Sequence, residues 1–159
     1  MAKAARRYRF DCDDRDVTDI EIAQVDERDS SWEDHHPRFR VYLHGSGESS
    51  TYGWTDTYDV TGADVLQVID WAQRQAGGLL TYAVALVSDL DSHAEKVEVD
   101  RGLTWLVGID GNDNTDRDPR GAESQLRMLA RRHDPVIIPA KDRLPDGLPA
   151  PYNDGTESR

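Results

Sequence analysis

The sequence predicts an α+β protein, with a mixed, largely antiparallel sheet of five to six strands and two helices on one face. Three observations carry this prediction. Residues 61–87, TGADVLQVIDWAQRQAGGLLTYAVALV, read as a capped helix, a glycine stop and a buried strand. Segments 38–44 and 52–60 alternate apolar and polar residues on either side of a glycine-serine loop, the pattern of a hairpin. A second near-continuous apolar run, LTWLVGI, is followed by Asp118 and Pro119, which fit the N-cap and first position of a helix.

Taken in order, residues 1–16 carry Arg6, Arg7 and Arg9 and then Asp11, Asp13, Asp14 and Asp16. Blocks of charge favour solvation over packing, so this stretch reads as a charged N-terminal segment, with Tyr8 and Phe10 able to dock it as an edge strand. A single domain is expected over residues 17–138. Its first strand is expected at 17–25, where Ile20 and Ile22 alternate with Asp19 and Glu21. In segment 38–44, Phe39, Val41 and Leu43 face one way, while Arg38, Arg40, Tyr42 and His44 face the other.

Thr61 is the expected N-cap of the first helix, with Asp64 as the acid of its first turn. Val65, Val68, Ile69, Ala72 and Ala76 share a face, and Asp64, Gln67, Asp70, Arg74 and Gln75 lie opposite. Gly77 and Gly78 end the helix because glycine accepts the left-handed conformation without a Cβ clash. A strand, helix, strand order here implies a right-handed crossover, hence the expectation of a mixed sheet.

Beyond it, residues 97–99 read as a short strand and 103–109 as a central one. The second helix should bury Ala122, Leu126, Leu129, Ala130 and His133, and end at Asp134-Pro135 with Arg131 and Arg132 at its negative pole. Residues 136–138 read as a brief edge strand. The last stretch, 139–159, is rich in Pro, Asp and Gly and is expected to be a mobile tail.

Composition narrows the function classes. The 159 residues hold 31 acids against 19 bases, a net charge of −12. Such a field repels nucleic acid and anionic lipid and attracts a basic protein, so the expected partner is a basic protein, with no nucleic acid and no membrane. Cys12 is the lone cysteine, which rules out an internal disulfide and a cysteine zinc cage. No apolar run is long enough to span a bilayer, and MAKAARRYRF lacks the apolar segment of a signal peptide, so the expected location is the cytoplasm.

The acidic loop 110–118 has the odd-position spacing of a calcium loop at Asp110, Asn112 and Asn114. Thr115 then stands where that motif wants glycine and Gly121 where it wants a bidentate acid. What remains is a looser candidate metal site of Asp110, Asn112, Asp113 and Asp116. His35, His36 and His44, with Asp34, carry no HExxH spacing. HGSGESS lacks the lysine and the following helix of a phosphate-binding loop. Asp89, Asp91 and His93 sit just beyond a buried strand, where α/β sites tend to form. Cys12 lies among acids that blunt a thiolate.

Trp54, Trp71 and Trp105 read as packing residues. Trp32, in DSSWEDHH, reads as an aromatic anchor. Together with Arg38, Arg40, Tyr42 and His44 on the outward hairpin face, it makes the expected partner surface. No cofactor motif or catalytic constellation is present, so no cofactor is expected. The expected function is that of a small non-enzymatic binding or accessory module (inhibitor, immunity-type or regulatory) acting through protein–protein contact. The alternative is a small metal-dependent enzyme with its site near Asp89, His93 and the Asp110 loop.

Overall fold

A computed structural model describes residues 6–7, 21–22, 26, 28, 30–90 and 100–145. The chain divides into two units, residues 1–35 and 36–159, whereas the charge pattern placed its boundary after Asp16. In the first unit β1 (Arg6–Arg7) and β2 (Glu21–Ile22) pair antiparallel, Arg6 opposite Ile22 and Arg7 opposite Glu21. The rest of the strand expected at 17–25 lies outside the described residues, as does the short strand expected at 97–99.

The second unit runs β3 (Arg38–Gly45), β4 (Trp54–Thr61), α1 (Val65–Ala76), β5 (Thr81–Leu90), β6 (Asp100–Val107) and α2 (Pro119–Ala130), followed by a 3₁₀ turn at Ala140–Asp142. Among the described residues its sheet has four strands in the order β4-β3-β5-β6, not five or six. Residues 136–138 join no ladder, and β1 and β2 form a separate pair. Every neighbouring pair is antiparallel. The expected crossover is present, but it passes over β3, which lies between β4 and β5, so the sheet is not mixed.

Helix α1 starts at Asp64, not Thr61. Thr61 still belongs to the β-ladder, opposite Arg38. Asp64 and Gln67 cap reciprocally: the Gln67 amide donates to Asp64 Oδ1 at 2.9 Å, and the Asp64 amide donates to Gln67 Oε1 at 3.0 Å. Gly77 ends the helix in the left-handed region at φ 59°. Val68, Trp71, Ala72 and Ala76 pack against Phe39, Val41, Leu43, Tyr82 and Val84 to form the core. Trp71 meets Tyr58 edge-on, with ring centroids 5.6 Å apart.

Asp70, expected on the wet side of α1, is only 3% exposed. Arg74 Nε holds it at 2.7 Å and Arg143 Nε approaches to 3.8 Å. Arg74 Nη2 also donates to the Leu144 carbonyl at 2.6 Å, and Leu144 packs on the core. Burial of this carboxylate is tolerable because arginines compensate its lost hydration. The first residues of the stretch set apart as a tail therefore pack on the domain, while 146–159 lie outside the described residues.

Helix α2 begins at Asp118-Pro119 as expected, but it turns a different side inward. Gly121 and Met128 are buried, while Leu126 is 65% exposed. A Cβ on Gly108 would come within 2.9 Å of Met128 Cγ and 3.2 Å of the Ala83 methyl, so Met128 packs at Ala83. Ala83 stands opposite Tyr42, on the face away from Val41 and Leu43. The helices thus cover opposite faces of the sheet, not one. Gly108, at φ 69°, turns the chain after β6 towards the second face.

Candidate functional site

Strand alternation places Arg38, Arg40, Tyr42 and His44 on one face of the sheet, and the ladder decides what each meets. Arg40 lies opposite Asp59 on β4 and Ala85 on β5. Tyr42 lies opposite Thr57 and Ala83. Trp105 on β6 stands opposite Ala85. Because Ala83 and Ala85 are small, the Tyr42 and Trp105 rings meet across them, with centroids 5.1 Å apart at 49°.

A string of alternating charge runs across this face. Asp59 accepts from Arg40 Nε at 2.7 Å and Arg40 Nη2 at 3.1 Å, a bidentate pair. Arg38 Nε lies 3.2 Å from the same carboxylate, and its Nη1 lies 4.0 Å from Asp89. Arg101 Nε reaches Asp89 at 3.3 Å. The order is Arg40, Asp59, Arg38, Asp89, Arg101, spanning all four strands. The Arg40 hydrogen bond holds the Asp59 carboxyl below its ordinary range, and the same bond raises the Arg40 guanidinium. Each arginine is paired with a carboxylate, so the face is close to charge-balanced. Beside the string, Leu103 stands opposite Val87 and is 37% exposed.

His44 closes the far end of the same face and is wholly buried. The Gly111 amide donates to His44 Nε2 at 3.1 Å, so that nitrogen carries no proton. His44 Nδ1–H then donates to Thr55 Oγ1 at 2.9 Å. Asn112 Nδ2 donates to the same hydroxyl at 2.9 Å, and the Gly53 amide donates to Asn112 Oδ1 at 2.9 Å. Thr51 Oγ1 completes the knot by donating to the Gly111 carbonyl at 2.8 Å. Burial lowers the affinity of His44 for a proton, against the pull of Asp110. A Cβ on Gly111 would lie 2.8 Å from the His44 ring, so only glycine permits this closure.

The expected partner residues are thus divided. Arg38, Arg40 and Tyr42 are half-buried on the open part of the face, and His44 is sealed beneath the 110–112 loop. Trp32 belongs to the first unit and is 76% exposed. His35 in that unit is exposed and lies 3.4 Å from Glu33. Asp91, His93 and Cys12 lie outside the described residues.

In the candidate metal loop, Asp110 Oδ1 accepts from the Asn112 amide at 2.9 Å and Asn114 Oδ1 from the Asp116 amide at 3.1 Å. The Asp113 carbonyl accepts from Gln125 Nε2 at 2.9 Å. These bonds brace the loop against the hairpin and α2. Among the described residues, no three His, Cys, Asp or Glu side chains gather as they would around a metal ion. In the HGSGESS loop, Ser46 Oγ donates to the Ser50 carbonyl, and Arg132 donates to Gly47 O at 3.1 Å and Ser46 Oγ at 2.9 Å.

Sequence reasoning missed Asp89 and Arg101 as members of the charged string, and Trp105 as a surface-forming aromatic. Their meeting depends on the β5–β6 register, which includes an irregularity at Val84 and Ala85. Among the described residues, no helix is long and apolar enough to cross a membrane. No family model, no curated protein and no solved structure matches this chain.

Proposed function

We propose that this protein is a non-enzymatic binding module that docks a basic protein on the open sheet face. The observation that carries the reading is the combination on that face of Tyr42, Trp105 and Leu103 with arginines already neutralised by Asp59 and Asp89. Tyr, Trp and Arg are the residue types that most often anchor interfaces. A string of free arginines would repel a basic partner, whereas paired ones do not. The net charge of −12 supplies long-range attraction, which raises the encounter rate more than the final affinity. Exposed Glu48, Asp56, Asp113 and Asp116 supply acidic groups outside the string. The same field disfavours nucleic acid as the partner. A cytoplasmic setting goes with this reading.

The test compares the tagged native chain with Leu103→Asp and Arg101→Asp variants in host lysate, at low and high salt. The reading expects one basic protein, retained stoichiometrically by the native chain, weakened by salt and lost from Leu103→Asp. Retention of the same proteins by all three chains, or of none by the native chain, sinks it.

A further inference from the structure

A cavity of about 370 Å³ lies where the C-terminal ends of the two helices meet, on the α1 side of the sheet. Gly78, at φ 73°, brings its α-carbon close to the Arg132 carbonyl; a Cβ there would stand at 3.3 Å. Five buried side-chain polar atoms among the described residues lack a hydrogen-bond partner, and three of them, Gln73 Oε1, Tyr82 OH and Arg132 Nε, belong to residues lining this one cavity. Tyr82 is 2% exposed, so its hydroxyl is a desolvated polar group with nothing to bond. Leaving such a group unpaired costs about 1–3 kcal/mol. Three at one place is a pattern that packing alone does not explain.

The lining also has a sign. Arg74, Arg131, Arg132 and Arg143 contribute four positive charges against the one negative charge of Asp70. Two helix C-termini bring partial negative charge here, which accounts for some of the arginines but not for the unpartnered phenol. Burial pushes the Tyr82 phenol up, with the Arg131 guanidinium opposing, so at neutral pH it is a protonated donor. The orphan set is therefore two donors, Tyr82 O–H and Arg132 Nε–H, and one acceptor, Gln73 Oε1. Gln73 keeps its acceptor free because its amide nitrogen donates to the Val136 carbonyl at 2.7 Å. Leu80, Val136 and Ile138 supply apolar wall.

We propose that this cavity binds a small organic acid that carries a hydrogen-bond donor beside a short apolar body. The carboxylate accepts from Tyr82 and Arg132 within the field of Arg131. The donor, an amide N–H or a hydroxyl, meets Gln73, and the apolar body lies on Leu80 and Ile138. The volume suits a ligand of that size. The inference is independent of the sheet-face reading, because the cavity lies on the opposite side of the sheet from Tyr42.

Calorimetric titration of the full chain with N-acetylleucine and with 2-hydroxy-4-methylpentanoate tests it. N-acetylleucinamide, which lacks the carboxylate, and 4-methylpentanoate, which lacks the donor, are the controls. Saturable binding of at least one acid is expected, with the amide weaker by about tenfold or more and 4-methylpentanoate also weaker, since each leaves a site group unpaired. Tyr82→Phe, which keeps the ring, and Arg131→Gln, at the half-buried rim, should each weaken binding by about tenfold with an unchanged Tm. A pentapeptide ending in leucine separates the sources: tighter binding than N-acetylleucine points to a polypeptide C-terminus, equal binding to a free metabolite. Failure of both acids to bind, equal binding of acid and amide, or indifference to both substitutions overturns the proposal.

Discussion

Two buried polar clusters in the second unit resemble each other in composition and differ in bookkeeping. Around His44, the imidazole, the Thr55 and Thr51 hydroxyls, Asn112 and the Gly111 backbone satisfy one another within 3.1 Å. At the junction of the helix ends, Tyr82, Gln73 and Arg132 each keep an atom unpaired. The comparison teaches that burial of a polar residue is not by itself a sign of function. A saturated cluster fixes a loop in place; an unsaturated one beside a cavity is suited to a ligand.

The sharpest way to break the comparison is to open the saturated cluster. His44→Ala removes a ring nitrogen from the Gly111 amide and leaves a void, and should cost about 2–4 kcal/mol in urea unfolding. A loss under about 1 kcal/mol would mean the loop does not depend on the knot. Thr55→Val is milder: it strands the His44 Nδ1–H and the Asn112 amide donor, with an expected loss of about 1–3 kcal/mol.

The same cluster predicts a pH response. Burial holds the folded-state pKa of His44 below its ordinary value of 6.5. The unfolded chain therefore binds the proton first as pH falls, and its share of stability, full above about 6.5, is lost as pH drops towards the folded pKa. Unfolding free energy should rise with pH across that window, and His44→Gln should reduce the slope. An unchanged slope would show that another group titrates there. On the open face Asp59→Asn should cost about 1 kcal/mol or less, because its partners are solvent-screened. A larger loss in urea unfolding would make the charged string part of the fold.

Much of the fold was legible because its signals are local. The hairpin alternation placed Arg38, Arg40, Tyr42 and His44 on one face, and Gly77 marked the end of α1. What the sequence hid depends on distant partners. Asp70 reads as a surface residue until Arg143 and Leu144 arrive from beyond α2. The inward side of α2 is set by Gly121 and Met128, a small and a flexible residue, while the apolar Leu126 that suggested another side stays exposed. The cavity was invisible because Tyr82 sits inside the apolar run 79–87, where its ring reads as core and its hydroxyl carries no pattern.

The smallest expected effect is also the most direct test. The unfolding free energies of the native and Tyr82→Phe chains, measured side by side without ligand, report whether that hydroxyl is already partnered. The account predicts that Tyr82→Phe is as stable as the native chain or slightly more so, since it removes a desolvated group that bonds to nothing. A loss of about 1 kcal/mol or more, as Thr55→Val should show, would mean the phenol is bonded within the fold and the cavity is not a ligand site.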